Sequence, residues 1–132
     1  MIERSDNSNT SAEQFAAFIE KIRDERELYR LKAQVAKALA HESRLMIIDA
    51  LYEKDMCVSE LTAMVGADQS TVSKHLSVLK QAGIILDRKQ CSNKVYYHLR
   101  MARIREFSDL ATALIYSNLP RAGFHETRGS RT

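Results

Sequence analysis

The spacing around two glycines, Gly66 and Gly83, constrains this chain more than any other feature. A short helical pattern runs from about Ser59 to Val65 and stops at Gly66, a residue that tolerates the left-handed backbone of a helix C-terminus. Ala67 and Asp68 then lead into a second helix, and Asp68 suits its N-cap because a carboxylate accepts from the free N–H groups of a first turn. That helix extends from Gln69 to Ala82, where Gly83 closes it. Two short helices joined by so tight a glycine-containing turn are a helix-turn-helix signature.

Around this unit the periodicity assigns the rest. Apolar residues recur at helical spacing from Ser11 to about Leu39, through Phe15, Phe18, Ile19, Ile22, Leu28, Leu31, Val35, Ala38 and Leu39, with Arg23–Glu27 as the place where the helix bends or divides. Such an apolar stripe needs a partner surface, and a second subunit is the natural candidate. Another helix begins after His41, with Glu42 in its first turn, and runs through Leu45, Ile48, Leu51 and Tyr52 before stopping near Lys54-Asp55. Ile84–Leu86 and Val95–Leu99 read as strands of a hairpin around the turn-like Cys91–Lys94. A last helix from about Ala102 presents Ile104, Phe107, Leu110, Ala111, Leu114 and Ile115 before Pro120 ends it. The whole is predominantly α with a β-hairpin wing: one domain over residues 11–119, between polar tails at 1–10 and 120–132 that are expected to be disordered.

At 132 residues, 45% of them hydrophobic, the chain can bury a core without a disulfide framework or structural metal, so no cofactor is required for folding. Two cysteines, Cys57 and Cys91, fit a reducing compartment. Asp49 interrupts the longest apolar stretch, which excludes a membrane span, and the first ten residues carry acids and no signal-peptide core. The expected place of work is therefore the cytoplasm, with no membrane partner. Glycine-rich phosphate loops, Cys-x-x-Cys, His-Glu-x-x-His and paired acids in a cleft are all missing from the sequence, which argues against an enzyme.

The charge of +3 resolves into two unequal halves: net −4 from Met1 to Gln69 and net +7 from Ser70 to Thr132. The helix from Gln69 divides in the same sense. Val72, Leu76 and Leu79 fall at i, i+4 and i+7 and anchor it, leaving Ser70, Ser73, Lys74 and Ser77 on a small, hydroxyl-rich, basic outer face. Such a face suits close approach to a major groove, and Gln69 in the first turn can pair bidentately with adenine. The composition of this face alone fits a solvated helix equally well. The hairpin tips the balance, because from Ile84 to Arg105 six basic residues meet one acid, Asp87. Arg88, Lys89 and Lys94 on that wing suit phosphates or an adjacent minor groove, and Asn93 at its tip suits a base or sugar contact or simply the turn.

Ala38–Leu45, Val58–Leu61, Gln69–Gly83 and Val95–Leu99 together resemble the ArsR/SmtB family over roughly residues 30 to 118. The resemblance implies a homodimeric winged helix-turn-helix repressor, bacterial or archaeal, with first and last helices at the dimer interface. It further implies a partner in double-stranded operator DNA and an inducer that weakens binding. Gln69, Ser70, Ser73 and Lys74 stand at the family's DNA-facing positions, and Thr71 and Ser77 join them on the same helix.

The inducer is less defined. Where one family type has Cys-Val-Cys-Asp-Leu, this chain has Cys57-Val58-Ser59-Glu60-Leu61, which keeps the first thiol and replaces the second. Soft ions favour several thiolates, and two cysteines do not supply three. A second type uses Asp-x-His and His-x-x-His on the last helix. Asp109 matches its first ligand and His125 its fourth, whereas Ala111 and Ala122 stand at the other two. His41, His75 and His98 read as cap, helix and strand residues. Cys91, among Arg88, Lys89 and Lys94, and Cys57 remain candidates for a thiol redox sensor. The rival class is a dimeric winged-helix module that contacts protein and senses no inducer, since fold alone does not dictate function.

Overall fold

Ten elements follow one another along residues 8–89 and 93–120, the part of the chain that the structure, a computed structural model, describes. They are α1 (Ser8–Asp24), α2 (Arg26–Leu39), α3 (Glu42–Glu53), β1 (Met56–Cys57), α4 (Val58–Val65), α5 (Gln69–Gln81), β2 (Ile85–Lys89), β3 (Val95–Leu99), a 3-10 turn (Ala102–Arg105) and α6 (Glu106–Asn118). Two compact units meet between Lys37 and Ala38.

In the first unit the expected long helix divides at Glu25. The Glu25 N–H is shared between the Lys21 and Ile22 carbonyls, and Tyr29 N–H bonds back to the Glu25 carbonyl, so the ladder tightens for one residue and resumes. Arg23–Glu27 is wholly polar and offers no apolar contact to hold a straight helix there. α1 starts at Ser8, so the last three residues assigned by sequence to the N-terminal tail are helical; the rest of that tail, and residues 121–132 of the other, lie outside the described residues. Phe15, Phe18, Leu28 and Leu31 are exposed.

The second unit is built on Ile47, Ile48, Leu51, Leu61, Val72, Leu76, Leu79, Ile85 and Leu99, all buried. α3 turns Ile47, Ile48 and Leu51 inward; Leu45 is half-buried and Tyr52 exposed. Tyr52 receives the Arg105 guanidinium over its ring at 4.7 Å. Gly66, at φ 81°, ends α4, and Asp68 caps α5. The strands form an antiparallel sheet in the order β1-β3-β2, with Ile85 opposite Leu99 and Lys89 opposite Val95. β1 was not foreseen. Its two residues carry no periodicity of their own and become a strand by pairing with β3, Met56 opposite Tyr97 and Cys57 opposite Tyr96. Ala102–Arg105, expected as the first turn of the last helix, is 3-10 before α6 begins. Among the described residues no helix is long and apolar enough to cross a membrane.

Candidate nucleic-acid interface

The outer face of α5 exists because its inner face is committed to the core. Val72, His75, Leu76 and Leu79 are buried, and Gln69, Ser70, Thr71, Ser73, Lys74 and Ser77 are all exposed. Asp68 Oδ1 accepts from the Thr71 N–H at 2.8 Å and from the Ser70 hydroxyl at 3.4 Å. Hydrogen bonds from Thr71 hold the Asp68 carboxyl below the usual carboxylate range, with Ser70 and the charge of Lys74 acting in the same direction. The cap thus engages Ser70 as well as orienting the first turn, a role the face analysis did not assign to it.

The wing is less cationic than its sequence. Arg88 donates to Asp55 Oδ2 at 3.4 Å, and Asp55 Oδ1 accepts from His98 Nδ1 at 2.7 Å. Lys80 of α5 bonds Asp87 at 2.9 Å, which holds the lysine ammonium above its ordinary range. Arg103 pairs with Glu106, and Arg105 lies between Asp49 at 3.7 Å and Asp109 at 3.6 Å. Counting basic residues therefore overstated the field available to a polyanion. Lys94 is exposed beside Asn93, whose φ of 61° is the left-handed conformation asparagine tolerates. Of Lys89 the structure describes its place in β2, and Cys91 lies outside the described residues.

Cys57 is a buried free thiol at the start of α4, its backbone N–H donating to Glu60 Oε1 at 3.0 Å and its Sγ 3.2 Å from Ser59 Oγ. The Ser59 hydroxyl, helped by backbone N–H groups of Glu60 and Ser59, keeps the thiol below its ordinary pKa against burial and the Glu60 charge. A cavity of about 380 Å³ opens beside it, lined by Val58, Ser59, Lys94, Val95 and Tyr97. Asp109, the other described inducer candidate, is exposed and faces Arg105, and its companion His125 lies outside the described residues. Sequence reading missed two groupings, Asp55 with Arg88 and His98, and His41 with Arg44 and His75. Each joins residues more than thirty positions apart, which no local spacing reveals.

A helix-turn-helix whose second helix is two-faced, followed by an antiparallel hairpin, defines a winged helix-turn-helix protein. Residues 41–86 match the model of the arsR family of bacterial regulatory proteins. The chain is 36% identical over 89 residues to the HTH-type transcriptional regulator Rv0081 of Mycobacterium tuberculosis, covering 67% of this chain and 77% of that one. It is 39% identical over 72 residues to the arsenical resistance operon repressor of Escherichia coli K12, over 54% and 61% of the two chains. In structure it is similar to the homodimeric winged helix-turn-helix DNA-binding domain of Mb0332 from Mycobacterium bovis, with a TM-score of 0.64, 26% identity and coverage of 74% and 89%. This chain belongs to the arsR family of transcriptional regulators, which bind DNA and are not enzymes.

Proposed function

We propose that this protein is a cytoplasmic repressor that binds double-stranded operator DNA as a homodimer, its own promoter included, and is released by a small inducer. The two-faced α5 carries the reading. Its buried stripe leaves small polar side chains and Lys74 outward on one face, the composition that allows a helix to enter a major groove. In this reading Gln69, Ser73 and Lys74 meet base edges, and Ser70, Thr71 and Ser77 meet the nearby backbone. Arg88, Lys89, Asn93 and Lys94 follow phosphate along the wing. A second copy covers the apolar side chains that α6 leaves exposed, a reading supported by a structural relative that is homodimeric.

Support for an inducer comes from the relative named for arsenical resistance and from the Cys57 thiol. Among the described residues no group of three or more His, Cys, Asp and Glu side chains is placed to hold an ion. A thiol oxidant is the inducer class that suits Cys57. The test is a gel shift on the protein's own upstream duplex, titrated separately with oxidant, arsenite, zinc and cadmium. A salt-sensitive complex, released by oxidant and retained by Cys57→Ser, is expected. Absence of any duplex shift would overturn the repressor reading in favour of a protein-contacting module.

A further inference from the structure

The buried face of α5 holds one polar side chain, His75, and its surroundings make a demand that the apolar residues beside it do not. Arg44 of α3 extends Nη1 to within 3.2 Å of His75 Nδ1. A guanidinium has donors and no acceptor, so Nδ1 must be unprotonated and the ring neutral. The same guanidinium donates through Nε to the Ala38 carbonyl at 2.6 Å, which fixes its position. The His41 ring packs on His75 with centroids 4.3 Å apart. His41 is itself the N-cap of α3, its Nδ1 accepting from the Ser43 N–H at 3.0 Å. Two imidazoles in contact are thus each committed, at Nδ1, to a donor that does not retreat.

From this geometry we propose that Arg44 and His75, with the His41 ring packed against them, position the recognition helix only while the His75 imidazole is neutral, so that operator binding weakens in mild acid. A proton on His75 turns an acceptor into a second donor facing Arg44. Among the described residues the charges that act on His75 are His41 and Arg44, both positive when charged. Acids on the other elements packed against α5 are engaged elsewhere: Glu60 of α4 with Cys57 N–H, Asp87 of β2 with Lys80. Burial, then His41 and Arg44, push the His75 pKa below its ordinary value.

The sign follows from linkage. An unfolded chain, or one with α5 detached, binds the His75 proton more readily than the native state does. Stability and helix placement are therefore complete above about pH 6.5 and decline as pH falls from there toward the depressed native pKa. This is opposite to the ordinary behaviour of a DNA-binding surface, which gains positive charge in acid and tightens on duplex.

The proposal rests on the DNA-binding reading, and the experiment separates the two. Operator affinity is measured at about pH 7.5 and 5.5 at fixed salt, for wild type and for His41→Asn/His75→Asn, where asparagine supplies a non-titrating acceptor and is a favoured N-cap. Wild-type affinity is expected to fall about tenfold in acid, and the variant to stay level. Equal wild-type affinity at both pH values, or an acid loss kept by the variant, would overturn the proposal. Histidine NMR on wild type without DNA gives an independent answer that does not depend on the variant's folding. His75 unprotonated at Nδ1 and titrating below the ordinary range supports the cluster, and an Nδ1–H tautomer overturns it. No duplex binding at either pH overturns the DNA-binding reading itself, and the NMR then decides the cluster alone.

Discussion

Arg88 shows how a single contact changes what a residue offers. As a basic wing residue it is a phosphate ligand by charge, yet Asp55 faces it at 3.4 Å while also accepting from His98. Half of the Arg88 side chain remains exposed, so the guanidinium is partly neutralised without being withdrawn. Replacing Asp55 by asparagine keeps an acceptor and removes the charge. Asp55→Asn is expected to tighten binding to duplexes of any sequence and to steepen the salt dependence by up to about one unit of log K against log salt. Lys74→Ala, on the exposed outer face of α5, is expected to weaken operator about tenfold or more and random duplex much less. Fluorescence anisotropy on both duplexes across a salt series measures the two together. Equal, small effects from both substitutions would count against the placement of α5. The pairing of Arg88 with Asp55 and of Arg105 with Asp49 was not legible in the sequence, because such ion pairs depend on where chain segments meet and not on how many charges a segment holds.

Among the elements, α5 was the most legible, since one buried stripe at i, i+4 and i+7 fixes both faces at once. The caps at the turn before it, Gly66 ending α4 and Asp68 starting α5, follow from chemistry as local as its faces. Gly66 has open space around the position a Cβ would take, so its requirement is the backbone angle alone. Gly66→Ala is expected to cost about 1–2 kcal/mol from the left-handed conformation, read as a lower midpoint in urea unfolding. A loss as large as that of a core truncation would mean that packing is involved after all. Leu79 is fully buried, and Leu79→Ala is expected to cost about 2–5 kcal/mol. β1 and the 3-10 turn were illegible by contrast. Two residues are too few for a period, and Met56-Cys57 becomes a strand only because Tyr96 and Tyr97 arrive beside it. Which apolar residues of α3 enter the core was set by packing, with Ile47 buried and Tyr52 finding a cation at the surface.

At the scale of the molecule, α6 keeps Ser108 and Ala111 half-buried, with the Ser108 hydroxyl donating to Asp49 at 3.3 Å, and leaves Phe107, Leu110, Leu114 and Ile115 exposed. Leu110 is 71% exposed and Leu114 63%, more apolar surface than one helix leaves to water without a partner. Leu114→Glu is expected to convert a dimer to a monomer in light scattering and, because half-sites need two recognition helices, to abolish operator binding while the fold persists by circular dichroism. A variant that stays dimeric would move the interface elsewhere. The sequence by itself determined the helix-turn-helix, the wing, the two faces of α5 and the capping residues, because each depends on neighbours within a turn or two. Tertiary structure decided which cations keep their charge for a polyanion, that two short segments make a third strand, and that His41, Arg44 and His75 share one cluster. Those outcomes depend on distances between residues far apart in the chain, and only folding sets them.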